Sequence, residues 1–129
     1  MPAESLMILI AGPYRSGTGD DPALMERNLR TLESVALPLY RAGHIPMIGE
    51  WIALPLLREA GSKHPGDAAY DEILYPIARR LLSRCDAVLR LPGASKGADE
   101  DVRLARELGL RIFETLADIP GCDSRLSDD

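Results

Sequence analysis

Three consecutive acidic residues, at positions 99–101, follow a short segment rich in glycine, alanine and serine. Ser95 is a predicted helix N-cap, because a serine hydroxyl accepts a hydrogen bond from a backbone N–H of the first helical turn. Gly97 and Ala98 are small enough for a ligand to lie against the chain. The helix dipole stabilises acidic residues in the first turns of a helix, which explains their position without any function. A carboxylate such as Asp101 beside a ligand-sized gap also suits a nucleophile, so both interpretations stay open at this point.

A second group of polar residues lies in the loop Gly12–Thr18, which follows an apolar segment. Glycine backbone lets a ligand approach closely, and the guanidinium of Arg15 can bind a phosphate through two parallel hydrogen bonds. A P-loop is excluded, because Thr18 stands where that motif requires lysine. The Gly-x-Gly-x-x-Gly fingerprint of dinucleotide-binding proteins is absent, which argues against a nicotinamide-dependent dehydrogenase. A surface arginine in a flexible turn is the alternative interpretation.

These loops belong to a predicted alternation of strands and helices. Short apolar segments predict strands at residues 7–12, 44–48, 87–91 and 110–114. Apolar residues at spacings of three and four predict helices at 23–42, 52–59, 68–84 and 97–108. Such an order requires parallel strands with right-handed crossovers. We therefore expect an α/β, three-layer flavodoxin-like or Rossmann-like fold with a four- to five-stranded parallel sheet, in which Pro46 favours an edge position for the second strand.

Ligands of such sheets bind at the carboxyl ends of the strands, which directs attention to the residues after the second strand as well. Glu50 can orient a ribose hydroxyl or the attacking group, although a solvated loop acid is equally compatible with its position. Trp51, the only tryptophan, can stack on a nucleobase, with core packing as the alternative. His44 and His64 are expected at the surface, because no Asp or Ser partner stands at a spacing that indicates a catalytic triad.

Composition limits the classes of protein that remain. The 129 residues carry 15 Lys and Arg against 20 Asp and Glu, and this net charge of −5 argues against binding to a nucleic acid polymer. No apolar stretch approaches the roughly 20 residues that a membrane helix needs. Cys85 and Cys122 fit no metal-binding spacing, and two isolated thiols suit a reducing compartment. We expect one cytoplasmic domain at 1–122 and a disordered tail at 123–129.

Three short motifs, in matching order, resemble the nucleoside 2-deoxyribosyltransferase superfamily, which includes the 2′-deoxynucleoside 5′-phosphate N-hydrolases. They are Ile10-Ala11-Gly12-Pro13-Tyr14, Cys85-Asp86-Ala87-Val88 and Ser95-x-Gly97-Ala98-x-x-Asp101-x-x-x-Ala105. The resemblance covers about residues 7–114. It implies chemistry at an N-glycosidic bond, in which a carboxylate attacks the anomeric carbon and the resulting glycosyl ester passes to another base or to water.

The resemblance implies that Asp101 is the nucleophile, at a position where the family ordinarily has glutamate. Aspartate is one methylene shorter, and a misplacement of about 1 Å can cost on the order of a hundredfold in rate. Glu100 is the second catalytic candidate, although neighbouring helix positions point about 100° apart. Ser95 and Arg15 match the monophosphate hydrolases, which favours a nucleotide as the ligand. The predicted substrate-binding residues are Gly12, Tyr14, Arg15, Glu50, Trp51, Ser95, Gly97 and Ala98.

The expected function is cleavage or transfer of the N-glycosidic bond of a (deoxy)nucleotide or nucleoside. A non-catalytic nucleotide-binding module of the same fold is the alternative, because Asp101 stands in place of glutamate. We expect no cofactor and no metal, since glycosyl transfer needs neither. The expected partners are a small-molecule nucleoside or nucleotide and further copies of the chain, because the resemblance implies a homodimer or larger assembly. Neither a nucleic acid polymer nor a membrane is expected as a partner.

Overall fold

The computed structural model describes residues 4–122, so the predicted disordered tail at 123–129 lies outside the described residues. Its strands are β1 (Met7–Ala11), β2 (Ile45–Met47), β3 (Ala87–Arg90) and β4 (Arg111–Phe113). They form one sheet in the order β2-β1-β3-β4, and every neighbouring pair is parallel. The helices are α1 (Pro22–Glu33), α2 (Ala36–Arg41), α3 (Gly49–Glu59), α4 (Ala68–Leu82) and α5 (Lys96–Glu107), followed by a short 3-10 helix, Leu116–Asp118. The predicted α/β fold with a four-stranded parallel sheet is confirmed.

Alternate residues of β1 pack against helices on opposite faces of the sheet. Ile8 and Ile10 belong to a buried cluster that includes Leu32 of α1. Leu9 belongs to a second cluster, which includes Leu82 of α4 and the small residues of α5. Because both faces of the central strand are covered, its sequence is a continuous apolar run rather than an alternating one. The two clusters are the two interfaces of a helix–sheet–helix, three-layer arrangement.

The second strand lies at an edge of the sheet, as Pro46 predicts. The histidine before it, His44, is not the surface residue that the sequence suggests, because only 2% of it is exposed. Its Nδ1 accepts a hydrogen bond from the Leu6 N–H at 3.1 Å, and its Nε2 lies 2.7 Å from the Pro120 carbonyl oxygen. His44 therefore ties the chain before β1 to the segment after the 3-10 helix, and its role is structural.

The helix predicted over 23–42 is divided into α1 and α2, and the break lies at Ser34 and Val35. The Ser34 hydroxyl donates to the Thr31 carbonyl at 2.6 Å, a local bond that competes with continuation of the helix. Pro38 is the third residue of α2, where its missing N–H is not required by the helix.

Helix α3 begins at Gly49, three residues before the predicted start, so Glu50 and Trp51 lie in a first helical turn rather than at the end of a strand. Helix α4 begins at Ala68, where the sequence predicts its start, and contains Pro76 in its interior. None of the helices among residues 4–122 combines the length and apolar character needed to cross a bilayer.

Candidate functional site

A cavity of about 920 Å³ opens at the carboxyl ends of β1 and β3. Its walls are the loop after β1, the first turn of α3, one face of α4 and the start of α5. A cavity of this size is large enough for a nucleotide-sized ligand. The structure brings nine of the ten sequence-predicted site residues to it: Gly12, Tyr14, Arg15, Glu50, Ser95, Gly97, Ala98, Glu100 and Asp101.

Gly12 is required where the chain leaves β1, because its backbone packs against two neighbouring side chains. A Cβ at this position would lie 2.8 Å from Leu32 Cδ2 and 3.3 Å from Leu91 Cβ. Any larger residue would therefore force apart the loop, α1 and the end of β3. The close approach fixes the loop that carries Tyr14 and Arg15 at the wall of the cavity.

The start of α5 forms the side of the cavity next to β3. The Ser95 hydroxyl accepts a hydrogen bond from the Ala98 N–H at 3.1 Å, which confirms Ser95 as the N-cap. Lys96 and Gly97 are the first two residues of the helix, so the helix provides no carbonyl that accepts a hydrogen bond from their N–H groups. Such N–H groups, together with the helix dipole, favour an anion at this end of the helix.

Asp101 and Glu50 each bring a carboxyl group to the same part of the site. Both line the main cavity and also a smaller chamber of about 40 Å³, which is walled by β1 and by Leu74 and Ala78 of α4. Burial, followed by the negative charge of Glu50, raises the pKa of Asp101 to about 7. Burial also raises the pKa of Glu50. Because the charge of Glu50 contributes to the raised pKa of Asp101, Glu50 ionises first, and Asp101 is the group that keeps its proton towards neutral pH.

Glu100 has the opposite environment, although it is adjacent in sequence. Arg103 donates from Nε to a Glu100 carboxylate oxygen at 3.0 Å, and this hydrogen bond lowers the pKa of Glu100. Glu100 is exposed at the rim of the cavity, whereas Asp101 is turned towards Glu50. The geometry therefore favours Asp101 over Glu100 as the reactive carboxylate.

Trp51 lies outside the cavity, so the predicted contact with a nucleobase is not provided within one chain. Its Nε1 donates to Glu33 Oε2 at 2.7 Å, and 38% of the residue is exposed, which also differs from core packing. The reason is the early start of α3. Successive helical residues point about 100° apart, so Glu50 faces the cavity and Trp51 faces α1.

Sequence reasoning missed several residues of the cavity wall, and four of them are on α4. Leu74, Tyr75, Ala78 and Arg79 line the cavity together. Their spacing of one, three and one positions marks one face of a helix, and this spacing was available in the sequence. Tyr75 is an exposed aromatic ring at the mouth, and it also packs edge-on against Tyr70 with a centroid separation of 6.3 Å.

Residues 60–67, which connect α3 and α4, do not line the cavity. Instead, Asp67 accepts hydrogen bonds from the N–H groups of Lys63 and Tyr70, at 2.8 and 2.9 Å. These hydrogen bonds and the one from the Ser62 hydroxyl hold the pKa of Asp67 well below its ordinary value. The segment is thus a tied loop that ends in the N-cap of α4.

In the part of the chain that the structure describes, no three His, Cys, Asp or Glu side chains are grouped so that they could hold a metal ion. Comparison with protein-family models, with curated proteins and with solved structures finds no match to this chain. Its function is therefore inferred from the site itself.

Proposed function

We propose that this protein cleaves or transfers the N-glycosidic bond of a nucleotide or nucleoside, with Asp101 as the nucleophile. The observation that carries the proposal is the pair of shielded carboxyl groups, Asp101 and Glu50, in a cavity walled by the loops after β1 and β3. A carboxylate that can attack the anomeric carbon and form a covalent glycosyl ester is the group that glycosyl transfer with a covalent intermediate requires. The resemblance of the three sequence motifs to the nucleoside 2-deoxyribosyltransferase superfamily points to the same chemistry.

In the proposed reaction, an ionised Asp101 oxygen attacks the anomeric carbon of the sugar. The bond from that carbon to the base nitrogen breaks, and its electron pair leaves with the base, which takes up a proton. The proton comes from solvent, because Glu50 is the group whose charge raises the pKa of Asp101 and is therefore already ionised when Asp101 ionises. Water or a second base then displaces Asp101 from the sugar, and the carboxylate is regenerated.

The remaining wall of the cavity suits the other parts of a nucleotide. The free N–H groups at the start of α5, the Lys96 ammonium and the Arg15 guanidinium are groups that bind a 5′-phosphate. Tyr75 offers an exposed ring on which a base can stack, the role that the sequence suggested for Trp51. These groups favour a nucleotide over a free nucleoside as the ligand.

One observation favours a second candidate, a nucleotide-binding module without catalysis. Because the pKa of Asp101 is raised to about 7, most of this carboxyl group is protonated in mildly acidic solution and is then a weak nucleophile. Aspartate also reaches less far than the glutamate of the family that the motifs resemble. The two candidates differ in whether a bound nucleotide releases its base above pH 7.

The decisive experiment is incubation of the protein with each deoxynucleoside 5′-monophosphate and chromatographic detection of free base between pH 6 and pH 9. We expect release that increases through pH 7, is lost in Asp101→Asn and persists in the matched neighbour variant Glu100→Gln. Calorimetric binding without release at any pH would support the binding module instead. Release that Asp101→Asn leaves unchanged would reject Asp101 as the nucleophile.

The proposal also includes a cytoplasmic location and a homodimer or larger assembly. The mouth of the cavity is bordered by the exposed Tyr75, a ring that a second subunit could cover. Light scattering at micromolar concentration tests the assembly, and a monomeric mass would contradict it.

A further inference from the structure

The guanidinium of Arg15 is already bound to a carboxylate at the cavity wall. Its Nε donates to Asp20 Oδ1 at 2.7 Å, and its Nη2 donates to Asp20 Oδ2 at 3.2 Å. Two parallel hydrogen bonds of this kind are also how a guanidinium binds a phosphate. Asp20 therefore occupies one of the donor pairs of Arg15 that the phosphate of a ligand could use.

The position of the guanidinium is fixed from two further sides. Arg15 lies over the ring of Tyr70, with its Cζ 5.3 Å from the ring centroid. It also packs against the backbone of Gly66, where a Cβ would come within 2.9 Å of Arg15 Nη2. Arg15 thus has Asp20, Tyr70 and Gly66 as neighbours while 35% of its side chain is exposed, so a phosphate that binds the exposed part of the guanidinium lies beside Asp20.

The loop that carries Asp20 has an unusual backbone. Asp20 has a φ of 62°, and it is the only residue other than glycine with a positive φ among residues 4–122. The buried Thr18 supports this conformation, because its hydroxyl donates to the Arg15 carbonyl at 2.6 Å and accepts from the Asp20 N–H at 3.2 Å. Aspartate adopts this left-handed region more readily than most residues, but at a cost in energy. The loop thus keeps an unfavourable backbone conformation while it presents a carboxylate to Arg15.

Because the cavity holds few other positive charges, the ion pair between Arg15 and Asp20 affects which ligands bind. Asp20 cancels the charge of Arg15, and the remaining cations of the wall are Arg79 and Lys96. The carboxyl groups of Glu50 and Asp101, which line the same cavity, oppose them. A dianionic phosphate at Arg15 meets the Asp20 carboxylate as a like charge, whereas a neutral hydroxyl does not.

We propose that Asp20 is a specificity-determining residue, which competes with the ligand's phosphate for Arg15 and so sets the preference between phosphorylated and neutral ligands. The inference rests on the proposed function, and it deepens it by naming the residue that limits affinity for the 5′-phosphate. Removal of the Asp20 charge should strengthen binding of phosphorylated ligands and leave neutral ligands unchanged.

The test compares the wild type with Asp20→Asn by calorimetry at one fixed, low ionic strength, because salt screens exposed charges. Asparagine keeps the size of the side chain and tolerates a positive φ, so the loop is preserved. The ligands are a deoxynucleoside 5′-monophosphate, the matching deoxynucleoside and inorganic phosphate. We expect Asp20→Asn to bind the two phosphate-bearing ligands about tenfold more tightly and the deoxynucleoside within about twofold of the wild type.

Two control variants separate this effect from a general loss of negative charge. Glu107→Gln breaks an exposed ion pair with Arg103 on the far part of α5, and it should change none of the affinities. Arg15→Ala in the Asp20→Asn background should abolish the gain, because the gain requires the guanidinium.

The outcomes for the two proposals are distinguishable. Equal changes for the monophosphate and the deoxynucleoside, or no change for either, would overturn the role of Asp20, while base release by the wild type would still support the proposed function. If neither protein binds a nucleotide, the proposed function fails and inorganic phosphate decides the inference. Tighter phosphate binding by Asp20→Asn then supports competition for Arg15, and unchanged phosphate binding overturns it.

Discussion

The replacement Asp101→Asn should make the protein more stable, although it removes the proposed nucleophile. Burial and the charge of Glu50 raise the pKa of Asp101 to about 7, so the folded protein disfavours the ionised form. Asparagine is neutral at every pH and resembles the protonated aspartate in size. The variant therefore avoids the free energy that the native protein loses when this carboxyl group ionises.

The size and the sign of the effect follow from the same pKa. The difference between about 7 and the ordinary value of 3.8 corresponds to at most about 4 kcal/mol of unfolding free energy. Below about pH 4 the group is protonated in both states, and the variant gains nothing. Between about pH 4 and pH 7 the unfolded chain releases the proton while the folded protein retains it, so native stability falls. Above pH 7 the stability that the native protein has lost no longer changes with pH, and the difference in unfolding free energy between the variant and the wild type is largest.

Thermal unfolding of both proteins between pH 4 and pH 9 measures this gain. For a chain of this length we expect Tm to rise by about 5–15 °C at pH 8 and to change little at pH 4. Glu100→Gln is the matched control, because the ion pair with Arg103 lowers the pKa of Glu100 and its removal should lower Tm slightly at neutral pH. A gain in Tm that is equal at all pH values, or a loss at pH 8, would refute the assignment of Asp101 as a shielded, reluctantly ionised group.

Three further changes test other parts of the structure. Glu50→Gln removes a charge that raises the pKa of Asp101, so the rise of base release with pH should move to lower pH; a pH–rate profile that does not move contradicts the coupling. Gly66→Ala and Gly61→Ala both place a side chain at positive φ, which costs about 1 kcal/mol in unfolding free energy, but only at Gly66 does the new Cβ contact Arg15. Calorimetry should therefore show weaker phosphate binding for Gly66→Ala alone, and equal weakening in both variants would exclude a role for that contact. His44→Leu leaves a buried backbone N–H and a carbonyl without their partner and should cost about 2–4 kcal/mol in urea unfolding, whereas a loss below about 1 kcal/mol would show that the histidine is not structural.

The order of strands and helices along the chain could be predicted well, because its signals are local. The apolar run of β1, the edge proline in β2 and the glycine-bounded segments of β3 and β4 each identify an element within a few residues. The division between α1 and α2 could not, because it depends on a Ser34 side-chain hydrogen bond that competes with the helix. The sequence pattern thus fails to predict a helix boundary where one side-chain hydrogen bond outweighs the periodicity of the apolar residues.

The part of the site that could be predicted is the part whose position follows from the parallel sheet. The rule for carboxyl ends of strands places the loops after β1 and β3 together, and Asp101 and Gly12 line one cavity as that rule requires. The orientations of Glu50 and Trp51 were not predictable, because a shift in the start of α3 exchanges the residue that faces inward. His44 was missed for a related reason, since both of its partners are backbone groups far away in the sequence and no pattern of side chains records them.

The edges of the sheet have a consequence for how copies of the protein can associate. Each outer strand, β2 and β4, is only three residues long, and Pro46 removes a backbone donor from the middle of β2. Edges this short offer little template for strand addition, the usual first step of intermolecular β-sheet growth and amyloid formation. Association of folded copies is therefore directed to helical surfaces, and concentrated solutions should resist fibril formation while the native sheet persists.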